Sequence, residues 1–292
     1  MPRVLAVQVS VTEYDLLRYI DTLEDSLSRL VALEAVDVRV FLVLQSSSDS
    51  PVIPDVLLIN NRVHVEIINI FSASFARNLG IAYARSIGAS HIMFHDSSIG
   101  VSVEFAKFAE ICVVDDFVVG VGKIKWTDPA LQKAGAIASV SVTQMLPSAL
   151  KNPYVYTYVF RVNDLGSIGF CERLGPGTNT LFNAGEDVVF LTQLFSFLGK
   201  EKLIMHGLDA FVFHPPRPLD GAKHLAYAYA QGALLRWLIK PENLSWQVIF
   251  YFFMFFGNAL VRALFFQKTW PKILVLRLRG FLSSKKFHQV VS

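Results

Sequence analysis

Cysteine is scarce in this sequence, and that scarcity excludes a disulfide-built fold. Cys112 and Cys171 are the only two among 292 residues, and both are read as reduced thiols of a cytosolic protein. Charge is scarce too. Charged residues make up 17% against 53% hydrophobic ones, which excludes a disordered chain and leaves a globular body with extra apolar surface to bury. Acidic residues stop at Glu242, whereas seven basic ones follow it: Arg262, Lys268, Lys272, Arg277, Arg279, Lys285 and Lys286. Residues 1–242 hold 20 basic and 24 acidic side chains, so a body of net −4 joins a tail of +7. A net-acidic body whose excess of basic charge lies in an apolar tail argues against a nucleic-acid partner. The start, MPRVLAVQVSVTEYD, lacks a clear leader core or cleavage site. It reads as a first strand, and the body is expected not to be exported.

Apolar periodicity gives strands near residues 4–11, 38–44, 63–68, 91–94, 118–124 and 154–162, with strand-like segments at 202–213. Helical spacing appears at 14–35, 72–87 and 186–197, and a helix starts within 101–110. Residues 130–150 give no assignable element. Strand, helix, strand, polar loop is a βαβ unit. The expected fold class is therefore α/β, a mostly parallel central sheet flanked by helices. Polar loops at the carboxyl ends of neighbouring strands mark the expected ligand edge. No repeat or low-complexity linker divides the body, so the expected organisation is one domain over 1–240 and a helical tail over 241–292.

The tail opens with WQVIFYFFMFFGNALVRALFF at 246–266, which carries one charge, Arg262. As a helix it is about 30 Å long, close to a bilayer core. Basic residues surround a second apolar stretch at 273–278. Three readings fit: a helix packed on the body or on a second subunit, a single transmembrane span, or a helix lying in a membrane surface. The even spread of aromatics and the basic residues suit the last, with residues 246–286 as the contact.

The chemistry-bearing segments come next. Residues 170–191 run FCERLGPGTNTLFNAGEDVVFL, a glycine-containing loop that delivers Glu186 and Asp187 to a helix start. There the helix dipole favours negative charge, although a plain capping arrangement without chemistry has the same pattern. Residues 72–84, SASFARNLGIAYA, place Arg77 and Asn78 on a helix after the third strand. The fourth strand ends in Phe94-His95-Asp96-Ser97-Ser98, and the second ends in Leu44-Gln45 followed by three serines and Asp49. His214 stands before two prolines, a position equally suited to a turn residue, with Arg217 and Lys223 beyond; His206 reads as structural.

Two of these segments together resemble the family 2 glycosyltransferases, which have the GT-A fold. The F-D-E-x-L-G-x-G run leading into G-E-D-x-x-F is matched by Phe170, Glu172, Leu174, Gly175, Gly177, Gly185, Glu186, Asp187 and Phe190, with Cys171 in place of aspartate. The helix pattern S-x-A-R-N-x-G-I is matched around Arg77, Asn78 and Gly80. The resemblance implies inverting transfer of a sugar from a nucleotide sugar to a hydroxyl of a glycan or lipid-linked glycan, with Asp187 as general base and Glu186 beside it. It implies donor contacts from Gln45, Asp49, Arg77, Asn78 and Asp96.

A divalent cation, Mg²⁺ or Mn²⁺, is implied at Asp96 with His214 as a further ligand, although Ser97 and Ser98 stand where further acids are usual. Metal-free stabilisation of the leaving diphosphate by basic side chains is the alternative. A membrane-bound tail further suggests a polyprenyl-diphosphate-linked sugar as acceptor, a place in capsule or O-antigen assembly, and the cytoplasmic face of a bacterial inner membrane. The replaced acids leave a second reading open, a catalytically inactive scaffold of the same fold. Nucleotidyl transfer fits less well, since it needs a stronger acidic metal site.

Overall fold

The computed structural model describes residues 2–59, 61–129, 140–146, 148–199, 202–216, 222–241, 243, 245–265 and 268–291. In chain order the elements are β1 (Arg3–Thr12), α1 (Glu13–Arg18), α2 (Ile20–Val31), β2 (Val36–Gln45), α3 (Asp55–Ile59), β3 (Val63–Ile68), α4 (Ala73–Ser86) and β4 (His91–Asp96). Next come β5 (Gly100–Val101), α5 (Val103–Val114), β6 (Val119–Trp126), β7 (Val142–Met145), β8 (Tyr158–Arg161), α6 (Glu186–Leu198) and β9 (Ile204–His214). Four helices finish the chain: α7 (Ala222–Leu238), α8 (Trp246–Phe265), α9 (Trp270–Leu282) and α10 (Ser284–Val291). The helix expected over 14–35 is broken at Tyr19 into α1 and α2. Arg217 and residues 130–139 of the unassigned stretch lie outside the described residues.

Hydroxyl caps set where several helices begin. Thr12 accepts from the amide of Asp15, Ser72 from Phe75 and Ser102 from Phe105. Each satisfies an orphan N–H in a helical first turn. Because Thr12 also ends β1, the cap turns the chain straight from strand to helix.

Among the described residues the strands form one sheet in the order β3-β2-β1-β4-β8-β6-β9-β5, with β7 also on β9. The half built from β3, β2, β1 and β4 is parallel. Beyond it β8 runs against both β4 and β6, and β5 and β7 run against β9. The expected mostly parallel sheet is thus corrected to a mixed one. The physical reason is that an apolar run reports burial on both faces, which a strand has whichever way it points. One face packs on α4, α6 and α7, and the other on α1, α2 and α5.

The C-terminal helices are bound to this body through close backbone packing. Gly232 of α7 faces the Arg277 carbonyl, and Gly280 of α9 faces the Tyr229 carbonyl; a Cβ at either position would overlap that backbone. Small residues let helix backbones approach closely. Arg277 is buried between them, with its guanidinium 3.6 Å from the Phe255 ring centre and donating to Gln231 Oε1 at 3.2 Å. On α10, Phe287 is fully buried against Phe182, and Val290 accepts from the Cys171 thiol at 3.1 Å. Gly280→Val is expected to pry α9 from α7 and cost about 1–3 kcal/mol, a fall in Tm of roughly 5 °C for a chain of this size. Thermal melts should show this, while Gly257→Ala, inside α8 with nothing within 4 Å of the added Cβ, should not lower the Tm.

Helix α8 is different. It is long and apolar enough to cross a membrane, yet Trp246, Phe250, Phe253, Met254, Leu264 and Phe265 are all exposed. Among the described residues nothing covers these side chains.

Candidate active site

The carboxyl ends of β1, β2 and β4 lie side by side, with Thr12 opposite Gln45 and Ser10 opposite Asp96. This edge opens into a cleft of about 600 Å³ that also takes in α4, the 170–185 loop, the start of α6, the end of β9, and α7 and α8. Ser10, Thr12 and Gln45 line it at the ends of β1 and β2, and Trp126 and His214 line it at the ends of β6 and β9, across β4 in the sheet, with Tyr154 and Tyr156 against them; Tyr227 and Tyr251 line it as well. Between these strand ends sits a buried charge cluster.

Arg77 is its centre. One guanidinium nitrogen, Nη1, donates to Asp187 Oδ1 at 2.6 Å and lies 3.5 Å from Glu186 Oε1; Nη2 donates to Asp96 Oδ1 at 3.2 Å. The planar fork of arginine lets one cation bridge carboxylates from separate elements. The guanidinium packs over Phe170, 5.3 Å from its centre, and Phe170 stacks on Phe190 at 4.1 Å. Arg77 thus joins a helix, a strand end and a helix start that lie far apart in sequence.

Two glycines shape the loop beside the pair. Gly175 has φ +98°, and a Cβ there would come within 2.9 Å of the Glu186 carboxyl carbon; at Gly177, with φ +84°, a Cβ would come within 2.3 Å of the Phe71 carbonyl oxygen. Both conformations favour glycine. Gly185, also left-handed, turns the chain into α6. The second Asp187 oxygen accepts from the Val155 amide at 3.3 Å.

Burial dominates the electrostatics. It pushes the Asp187 carboxyl up to about 7; Arg77 opposes the shift, while Glu186 and Asp96 add to it. Burial likewise raises Glu186, against Arg77. Burial would discharge Arg77, but Asp187, Asp96 and Glu186 more than offset it and hold the guanidinium charged. A carboxylate whose affinity for a proton is matched to neutral pH suits a general base.

The structure brings Gln45, Arg77, Asp96, Glu186, Asp187 and His214 to one cleft. Gln45 is buried, and its Oε1 accepts from the Ser72 amide at 2.7 Å. Asn78 sits behind the cleft. Its amide accepts from the Phe170 N–H at 2.7 Å and donates to the Phe170 carbonyl and to Glu172, each at 2.9 Å. That arrangement pins the glycine loop. Asp49 lines a separate depression with Ser46, Glu66 and Asn69. Glu13 draws the serine loop there, accepting from the Ser46 hydroxyl and the Val52 amide. His95 is fully buried and burial pushes its imidazole down to about 4, so it is neutral. Cys171, where an acid is usual, lies half-buried under α10, which suits a thiol better than a carboxylate. Trp126, Tyr154, Tyr156, Tyr227 and Tyr251 were missed from sequence. Trp126, directly before a turn at the end of an alternating strand, was the one legible signal.

A mixed α/β sheet with a cleft at its strand ends is consistent with a GT-A-like fold. The particular likenesses are to crystal structures of S. aureus TarS. TarS 1–349 matches with a TM-score of 0.61 at 15% identity, over 97% of this chain and 80% of that one. Its complex with UDP-GlcNAc matches with a TM-score of 0.60 at 15% identity, over 97% and 81%. A longer TarS chain gives 0.62 at 15% identity, over 97% and 49%. At such identity the likeness shows the fold. No protein-family model matches the sequence, and no curated protein sequence matches it.

Proposed function

We propose that this protein is an inverting, nucleotide-sugar-dependent glycosyltransferase of the family 2 type, with Asp187 as general base. The observation that carries the reading is the Asp187 carboxylate on the cleft wall, held there by Arg77 at 2.6 Å and the Val155 amide at 3.3 Å. In the reaction, Asp187 takes the proton of an acceptor hydroxyl. The acceptor oxygen forms a bond to the anomeric carbon as the bond from that carbon to the diphosphate oxygen breaks. The electron pair leaves with the nucleotide diphosphate, and one displacement inverts the centre. Arg77 keeps the Asp187 carboxylate aimed into the cleft.

The donor belongs at the end lined by Ser10, Thr12 and Gln45, since open α/β sheets bind ligands outside the carboxyl ends of their strands. UDP-GlcNAc and UDP occupy S. aureus TarS crystals of the same fold, which supports a nucleotide diphosphate here. Gln45 and Arg77 are the donor residues best placed in the cleft; Asn78 acts by holding the loop, and Asp49 would reach the donor only if its loop turned inward. The oxygen donors of Asp96, Ser97 and Ser98 on the cleft wall are of the kind that Mg²⁺ or Mn²⁺ prefers. Among the described residues no three His, Cys, Asp or Glu cluster to hold a cation by themselves. Asp96 would hold the ion, whose chemistry is to neutralise charge on the leaving diphosphate. We assign His214 instead to the acceptor side. Calorimetric titration of the full chain with a panel of nucleotide sugars, with and without each cation, tests the reading. Binding of none of them would sink it.

Residues 1–240 form the transferase body in this reading, and 241–292 serve both to pack on it and to meet a membrane at the cytoplasmic face. The support is the exposed apolar side of α8 beside exposed Arg262, Lys268, Lys272 and Arg279. An acceptor glycan on a polyprenyl diphosphate, as in surface-polysaccharide assembly, follows from that placement. The full chain is expected to float with phosphatidylglycerol-containing vesicles and weakly with phosphatidylcholine alone. Phe253→Glu with Leu264→Glu should weaken flotation by more than about tenfold, since each lost side chain carries about 1.5–3 kcal/mol of apolar transfer. Unchanged flotation would remove the membrane from the proposal.

A further inference from the structure

We infer that the aromatic end of the cleft is a pyranose subsite for the acceptor, with Trp126 and Tyr154 as its stacking surface. This inference rests on the transferase reading. Trp126 ends β6 and His214 ends β9, and the two are paired in register across the sheet. Their rings lie 4.7 Å apart; Tyr154 meets Trp126 edge-on at 5.7 Å and stacks on Tyr156 at 5.5 Å. The four rings form one wall, with Trp126 37% exposed at its rim.

The wall is tied to the base by the backbone. Val155, between Tyr154 and Tyr156, gives its amide to Asp187 Oδ2. The segment that carries Tyr154 and Tyr156 is thus in direct contact with the carboxylate that must take the proton. A sugar has one face of C–H bonds and an edge of hydroxyls. The face suits an aromatic surface, and the edge suits hydrogen-bonding groups placed around it. Lys223, Tyr227 and Gln231 of α7 and Tyr251 of α8 line the same cleft. A nucleotide has less reason to bind here, because β6 and β9 lie across β4 from the β1 and β2 strand ends.

The test uses the full chain with UDP bound and methyl glycosides of glucose, galactose and N-acetylglucosamine as probes, read by saturation-transfer NMR. At least one glycoside should receive saturation, strongest on the C–H protons of one ring face. Trp126→Leu keeps an apolar side chain but removes the ring face, and should weaken that glycoside about tenfold. Trp126→Phe should restore most of the binding, and UDP affinity should be the same in all three proteins. Should Trp126→Leu fold poorly in thermal melts, Tyr154→Leu carries the same expectation. UDP binding without saturation of any glycoside would overturn the subsite alone, as would equal saturation in the parent and both leucine variants. Failure to bind UDP would overturn the transferase reading and the subsite with it.

Discussion

Asp187→Asn is expected to lower sugar transfer by about 10²–10⁴-fold while leaving donor affinity within a few-fold of the parent. Asparagine keeps the shape of the side chain, and its one carbonyl oxygen can still accept from Arg77 or from the Val155 amide, one of the two contacts that Asp187 makes. What it cannot do is take a proton. In the parent, transfer should rise with pH and level off above about 7, following ionisation of Asp187. The sign for stability is opposite. The folded-state value lies above the ordinary 3.8, so between these values the folded protein holds a proton that the unfolded chain has released. Stability from this group is fully present below the lower value and is lost as pH rises through the upper one, by up to about 1.4 kcal/mol per pH unit. Asp187→Asn should therefore flatten the fall in Tm between pH 5 and pH 8. Full transfer by the variant would remove Asp187 as base, and a fall as steep as the parent's would show that its carboxyl is not held in this way.

Arg77→Met should have the largest effect on stability. Arg77 is 4% exposed and is shared by Asp96, Glu186 and Asp187. Removing one partner of a buried charge network costs about 3–5 kcal/mol, because the remaining charges are left uncompensated, and at this chain length that is a Tm drop of roughly 10 °C. The carboxyls left behind can relieve their repulsion by taking up protons. The loss should thus be larger at pH 8 than at pH 5. Arg77→Lys should fall between, since an ammonium is a point charge that cannot reach Asp187 and Asp96 with a planar fork. Scanning fluorimetry at the two pH values is sufficient. A drop under a degree, or one independent of pH, would mean the cluster does not hold the fold together.

Helix α7 shows what periodicity misses. Its sequence, AKHLAYAYAQGALLRWL, presents apolar residues around much of its surface, so no stripe announces it. It packs on the body with one side and on α9 with another, and a helix covered on both sides has no polar face to report. The opposite case is the span Val63–Ile68, which the apolar pattern located to the residue. Asn78 makes a similar point at the site. Its place in an R-N-x-G pattern groups it with Arg77, but successive residues on a helix point in different directions. Arg77 enters the cleft, and Asn78 turns to the backbone of Phe170.

By itself the sequence determined the α/β class, the parallel half of the sheet, the loop that carries Glu186 and Asp187, and the apolar, basic character of the tail. These are written in short-range terms: spacing, capping residues, glycine positions and composition. Tertiary structure alone decided the direction of the remaining strands, the gathering of three carboxylates on Arg77, the aromatic wall beside Asp187, and the docking of α7, α9 and α10. The physical reason is distance along the chain. Arg77 and Asp187 are 110 residues apart and Cys171 and Val290 are 119 apart, and no local preference records a partner so far away. Such pairs exist only once the sheet and its helices have closed around them.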